Sequence, residues 1–292
     1  MKRFLFLFLL LGAILSGCSA NTSPANIAAT TLPVYEFTAA LCEGTPLTVT
    51  RLVTEEVSCL HDYSLNVKQV KAAEAAELIV ISGAGLEDFL DDLLINKECI
   101  DASQGIQLHC PEEENHVHDH EHEGHHHESD PHIWLSPSNA AVMAYNICIG
   151  LTGKYPEFAG TFASNLDSLT QRLNDLYAYG NDALKDLSCR ELITFHDGFS
   201  YFADAFDLTI LEAVEEESGS EASAKELIHL IEEVEHHSLP AIFTEKSGSV
   251  SAASIIARET GCKTYTLDMA MAGDSYFDAM YHNIDTIKEA LQ

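Results

Sequence analysis

Basic residues are scarce in this chain. Fifteen Lys+Arg stand against 46 Asp+Glu in 292 residues, a formal net charge of −31. A surface of that sign repels nucleic acid and anionic lipid and favours cations, although acidity also serves plain solubility. No Cys-x-x-Cys occurs, which removes the usual thiolate zinc site, and no Gly-x-Ser-x-Gly, which removes the nucleophile elbow. Long hydrophobic runs are missing too. The longest begins at Phe4 and reaches Leu15, well short of the roughly 20 residues that span a bilayer as a helix.

That short run has another use. Lys2 and Arg3 precede it and Ser16-Gly17-Cys18 follow it, the layout of a processed export leader. The string Leu15-Ser16-Gly17-Cys18 resembles a bacterial lipobox, in which Cys18 is diacylated and becomes the mature N-terminus. Residues 1–18 are then a signal peptide and 19–26 a polar tether, so the expected location is extracytoplasmic and lipid-anchored to the cell membrane. Seven cysteines remain, an odd number for a compartment where disulfides persist. Cys189 and Cys262 each precede an apolar strand-like run, ELITF and KTYTL, and a bridge between them is expected if those strands are adjacent. Cys148, in a helix-like stretch, is the expected unpaired thiol.

From Ile27 onward, strand-like and helix-like segments alternate. LTVTRLV (47–53) and LIVIS (78–82) read as strands, with helix formers over 68–77 between them. The pattern repeats after residue 188: strands at 191–194, 208–211, 241–244 and 263–267, and helices at 198–206, 225–236, 250–260 and 276–291. Alternation of this kind implies α/β architecture, with two lobes each built on a parallel sheet flanked by helices. The expected limits are 27–136 for the N-terminal lobe and 188–292 for the C-terminal lobe, with linker helices over 137–187. From Pro156 to about Leu187 the apolar spacing suits either one long helix bridging the lobes or a helical hairpin broken near Tyr179-Gly180-Asn181.

Residues 112–130 form a low-complexity loop. Seven histidines (His116, His118, His120, His122, His125, His126 and His127) fall within twelve residues, interspersed with Asp and Glu. Such a stretch cannot build a core, and its imidazoles suit weak, secondary metal binding. Outside it, His61, His132, His196 and Asp268 follow strands or loops in the way ligands sit at the carboxyl ends of a parallel sheet. Singly, a loop histidine is more often a surface or capping residue, and Asp268 could be a turn residue. As a set, two in each lobe, they would put a metal in the interlobe cleft. Asp130, Trp134 and Glu245 are candidates to orient the ligands or exclude water.

Several strings together resemble the metal-receptor family of bacterial ABC importers, cluster A-I of the solute-binding proteins. They are the lipobox, His61-Asp62-Tyr63, AEAAELIVISGAGLEDFLDDL, Asp130-Pro131-His132-Ile133-Trp134-Leu135-Ser136-Pro137, His196-Asp197-Gly198-Phe199-Ser200-Tyr201-Phe202, Ile242-Phe243-Thr244-Glu245 and Thr266-Leu267-Asp268. The resemblance implies two α/β lobes joined by one long rigid helix. It makes His61, His132, His196 and Asp268 the metal ligands, Zn²⁺ the carried ion and an importer permease the partner. Zinc receptors of this family carry His at the third ligand position, where manganese receptors carry Glu; here it is His196. Three imidazoles and one carboxylate also suit zinc better than manganese on chemical grounds. A monomeric receptor, not an enzyme, is expected. Receptors for manganese or another divalent metal, an adhesin and a zinc hydrolase are the alternatives; four protein ligands would close a hydrolase site to substrate.

Overall fold

The computed structural model describes residues 26–57, 60, 63–109, 129–214, 222–246 and 248–292. The leader, Cys18, the tether up to residue 25, His61 and all seven histidines of the low-complexity run lie outside these residues.

The first half runs β1 (Asn26–Ala29), α1 (Leu32–Cys42), β2 (Thr48–Arg51), α2 (Val67–Ala75), β3 (Leu78–Ile81), α3 (Asp91–Leu94) and β4 (Cys99–Asp101). Its four strands pair in parallel in the order β2-β1-β3-β4. Two helices follow, α4 (Pro137–Lys154) and α5 (Ala159–Leu184). The second half runs β5 (Glu191–Thr194), α6 (Ser200–Ala205), β6 (Thr209–Ala213), α7 (Ala224–His237), β7 (Ala241–Glu245), α8 (Ser251–Thr260), β8 (Lys263–Leu267) and α9 (Tyr276–Leu291). Its sheet, also parallel, has the order β6-β5-β7-β8. Each sheet therefore reverses direction of growth once, between β1 and β3 in the first and between β5 and β7 in the second. Such a switch point is where an open α/β sheet forms its binding crevice.

Strand alternation divides the apolar side chains between faces. Ile27, Ala29, Leu78 and Val80 of the first sheet join Leu192, Ala241 and Phe243 of the second in one common core, with α1, α4, α5 and α9 between them. The opposite faces are separate: Ala28 and Ile79 pack with Ala73 of α2, whereas Ile193 and Ile242 pack with Leu230 and Val234 of α7 and Ile256 of α8. Local sequence starts the helices where they are needed. Asn66 and Gln69 form a reciprocal capping box on α2, and Ser223 and Glu226 do the same on α7. Ser136 caps α4 ahead of Pro137, and Ser275 caps α9.

The stretch that allowed two readings is one continuous helix. α5 holds 26 residues, about 39 Å at the usual rise, and Gly180 lies buried within it. A Cβ at Gly180 would come within 2.2 Å of Phe206 Cε1. The glycine therefore marks where α5 touches the end of α6, not a break. The expected Cys189–Cys262 bridge is corrected: both thiols are free, and β7 runs between β5 and β8, the strands those cysteines precede. Cys148 is likewise free, and buried in α4. The edge strand β4 was not expected, since three residues beside Lys97 and Glu98 carry little strand signal. Among the described residues, no helix is long and apolar enough to cross a membrane.

Candidate metal centre

Three strand ends and one turn lie at the carboxyl edge of the second sheet and the start of α4. His132 begins the 3-10 turn Ile133–Leu135 that leads into the Ser136 cap, and it is 2% exposed. His196 follows β5, where the N–H of Phe195 donates to Phe243 O and keeps the chain beside β7. Glu245 ends β7, on the other side of the switch point, and Asp268 follows β8.

His132 and His196 come together. Their Nε2 atoms are 3.3 Å apart and their ring planes nearly perpendicular, at 86°. Each outward Nδ1 faces a carboxylate. Asp130 Oδ1 lies 2.8 Å from His132 Nδ1, and Glu245 Oε2 lies 3.8 Å from His196 Nδ1. Asp130 Oδ1 also accepts from the His132 backbone N–H at 2.9 Å. Burial alone would raise the Asp130 carboxyl. The hydrogen bonds and charge of His132, with His109 further off, hold it below the usual carboxylate range instead. Gly198 makes room for the pair: a Cβ there would stand 2.8 Å from His196 Cδ2 and 3.0 Å from His132 Nδ1.

Trp134 is wholly buried and fastens the second lobe to this corner. Its Nε1–H donates to Met269 O at 2.7 Å, its carbonyl accepts from Tyr276 Oη at 2.8 Å, and its ring meets the edge of His132 at 5.4 Å. Asp268 is thus one residue from a fixed point, but its carboxylate is otherwise engaged. Oδ1 accepts from the Ala270 N–H at 2.8 Å, and Oδ2 lies 3.7 Å from Lys246 Nζ. Asn283 holds the Asp268 backbone in both directions, at 2.8 and 2.7 Å. Among the described residues no group of three or more His, Cys, Asp and Glu converges closely enough to hold a metal ion. His132 and His196 are brought together, and Asp268 is not in that pair.

His61 lies outside the described residues, but its flanks are anchored. Leu60 is buried in the common core, and Tyr63 Oη sits in a network with Glu55 and Gln69 that ties the loop to α2. The chain on either side of the histidine-rich run is also fixed. Asp130 N–H donates to His109 O at 2.8 Å, and Tyr201 Oη accepts from His109 N–H at 3.0 Å and donates to Asp130 O at 2.9 Å. His109 stacks on Tyr201 and pairs with Asp204 at 3.1 Å. Sequence reasoning gave no site role to Lys246, Asn283 or Gly198. Gly198 entered only within the string that begins at His196, and Lys246 carried a signal as a cation directly after Glu245 in an acidic chain.

A family model described as "Zinc-uptake complex component A periplasmic", or ZnuA, matches residues 27–290. The zinc-binding lipoprotein AdcA of Streptococcus pneumoniae (strain ATCC BAA-255 / R6) is 29% identical over 307 residues, covering 99% of this chain and 61% of AdcA. The chain thus spans about three-fifths of that relative's length. A putative metal-binding protein of Treponema pallidum (strain Nichols) is 30% identical over 292 residues, covering 94% of this chain and 91% of the relative. A crystal structure of ZnuA superposes with a TM-score of 0.77 at 27% identity, over 91% of this chain and 99% of that one. The match runs through both sheets, the long helix and the His132–His196 corner, and the chain belongs to the ZnuA family of zinc-uptake complex components.

Proposed function

We propose that the protein is an extracytoplasmic receptor that captures Zn²⁺ and passes it to an ABC-type importer. The observation that carries this reading is the His132–His196 pair. Two nitrogens bound to one tetrahedral zinc at about 2.0–2.1 Å stand about 3.3 Å apart, and the two Nε2 atoms are 3.3 Å apart here. A carboxylate behind each Nδ1 favours the tautomer whose Nε2 lone pair faces inward, the arrangement that metal-binding imidazoles need. His61 and Asp268 complete the proposed set, with Asp130, Trp134 and Glu245 as supports. The names of the relatives, a zinc-binding lipoprotein and a zinc-uptake component, agree with this cargo.

Capture by deprotonated ligands releases protons. Because the two sheets share one core through α1, α4, α5 and α9, hand-off is expected to use a small hinge or loop movement, not wide closure. The lobes are read as 27–136 and 188–292, joined by 137–187. Cys18 is read as the lipid-bearing residue, the receptor as a monomer, and the seven histidines of 116–127 as a weaker secondary collector.

Calorimetry of residues 19–292 with zinc and with manganese, with and without residues 112–128, tests the reading. One tight zinc site surviving the deletion, with manganese far weaker, is expected. Loss of tight binding with the deletion would leave a histidine-rich metal buffer on a two-lobed scaffold. Weak additional sites that vanish with the deletion would support the collector; their absence from the intact chain would end it.

A further inference from the structure

Lys246 occupies a position that tight capture of a cation would not choose. It directly follows Glu245, and its backbone N–H donates to Leu267 O at 2.9 Å, so it stands beside the end of β8. Its ammonium reaches two carboxylates. Nζ lies 2.8 Å from Glu56 Oε1, in the loop that follows β2 in the first lobe, and 3.7 Å from Asp268 Oδ2 in the second. The three residues line one small cleft together with Glu245 and Met269. A lysine ammonium of ordinary basicity is charged at neutral pH.

We infer that Lys246 is a tethered competitor for the cargo: its ammonium shares the Asp268 carboxylate with the bound ion, lowers affinity and speeds release, while Glu56 provides the place to which it withdraws. The inference rests on the reading of Asp268 as a ligand. A divalent ion on Asp268 and an ammonium within 4 Å of the same carboxylate repel one another. Lys246 is half exposed, which screens that repulsion but does not abolish it. Glu56 and Lys246 also join the two walls of the cleft. Loading that pushes Lys246 toward Glu56 would strengthen this cross-lobe pair at the moment the site fills. A receptor that must surrender its ion to a permease gains from such a built-in counterweight.

Zinc affinity of the full chain, by competition with a chromophoric chelator, and zinc release into excess chelator, by stopped flow, test this. Lys246→Met is expected to bind zinc about tenfold more tightly and to release it more slowly by a similar factor, with its unfolding temperature unchanged. Lys246→Arg, which keeps the charge, should resemble the native chain. Glu56→Gln should weaken binding, and that effect should largely disappear in the Lys246→Met background. An additive Glu56 effect would mean that Glu56 acts only through the general field, overturning its role as a resting place. Asp268→Asn separates the two ideas. If it weakens zinc binding while Lys246→Met changes neither affinity nor release, the competitor role is wrong and the receptor reading stands. If Asp268→Asn leaves zinc binding intact, Asp268 is not a ligand and both statements about it fall.

Discussion

Asp130 and His132 are joined twice through one oxygen: Asp130 Oδ1 accepts from the backbone N–H of His132 and lies 2.8 Å from its Nδ1. The ring is thereby fixed in rotamer and in tautomer, with Nε2 directed at His196. Replacing Asp130 by Ala removes both contacts without touching a proposed ligand. Zinc affinity should fall by roughly 10–100-fold, the usual consequence of losing a partner behind a ligating imidazole, while Asp130→Asn falls between. Chelator competition reads this directly, and native affinity in Asp130→Ala would mean that the ring needs no orienting partner.

Gly198 tests the same corner from the packing side. An added methyl meets the His196 ring at 2.8 Å, His132 Nδ1 at 3.0 Å and Met269 Cε at 2.6 Å. The methionine end can move aside, but the two rings are confined. Gly198→Ala should lose zinc affinity by at least about tenfold and cost about 1–3 kcal/mol of stability, as overpacking does. Paired zinc titration and urea denaturation check it. Unchanged binding would show that the rings have slack that the contact distances deny.

In α5 the prediction runs against helix propensity. Gly→Ala in an exposed helix interior gains about 1 kcal/mol, yet at Gly180 the new Cβ would overlap the Phe206 ring at 2.2 Å. Gly180→Ala should destabilise by about 1–3 kcal/mol in urea, and Phe206→Leu should relieve part of that loss in the double variant. A stabilised single variant would place the helix farther from α6 than described.

Glu87 predicts a pH dependence in the first lobe, away from the imidazoles. It accepts from Thr30 Oγ1 at 2.6 Å and from the N–H groups of Ser82 and Gly83 at 2.7 and 3.0 Å. Burial outweighs these bonds, and with the charge of Asp101 added it pushes the carboxyl up to about 7. Across roughly pH 4.5 to 7 the folded chain then retains a proton that the unfolded chain has released. Stability therefore falls as pH rises through that window and levels off above it. The total change is on the order of 3 kcal/mol. Glu87→Gln should lack this slope. Urea midpoints of the two proteins that stay parallel from pH 4.5 to 7 would contradict it.

Much of the architecture was legible because it depends on local pattern. The strands Glu191–Thr194 and Lys263–Leu267 and the helix Tyr276–Leu291 fall where β-branched runs and 3.6-residue spacing put them. What was not legible depends on partners distant in the chain. Gly180 suggests a break until Phe206 is found against it. Cys189 and Cys262 suit a bridge until β7 is found between their strands. The His132–His196 pair could be nominated from its motifs. The turn of Asp268 toward Lys246, and of Lys246 toward Glu56, could not, since it joins three separate loops.

Trp134 has a practical consequence. It is the chain's single tryptophan, and it sits with its indole N–H on Met269 O and its ring against His132. All indole emission from this protein therefore originates at the proposed binding corner, with no second tryptophan to dilute it. Indole fluorescence is sensitive to the charge and polarity of its neighbours, and here those neighbours are one proposed ligand and the residue next to another. The molecule carries its own optical reporter, placed where loading and unloading would be seen in real time without a dye, a label or a substitution.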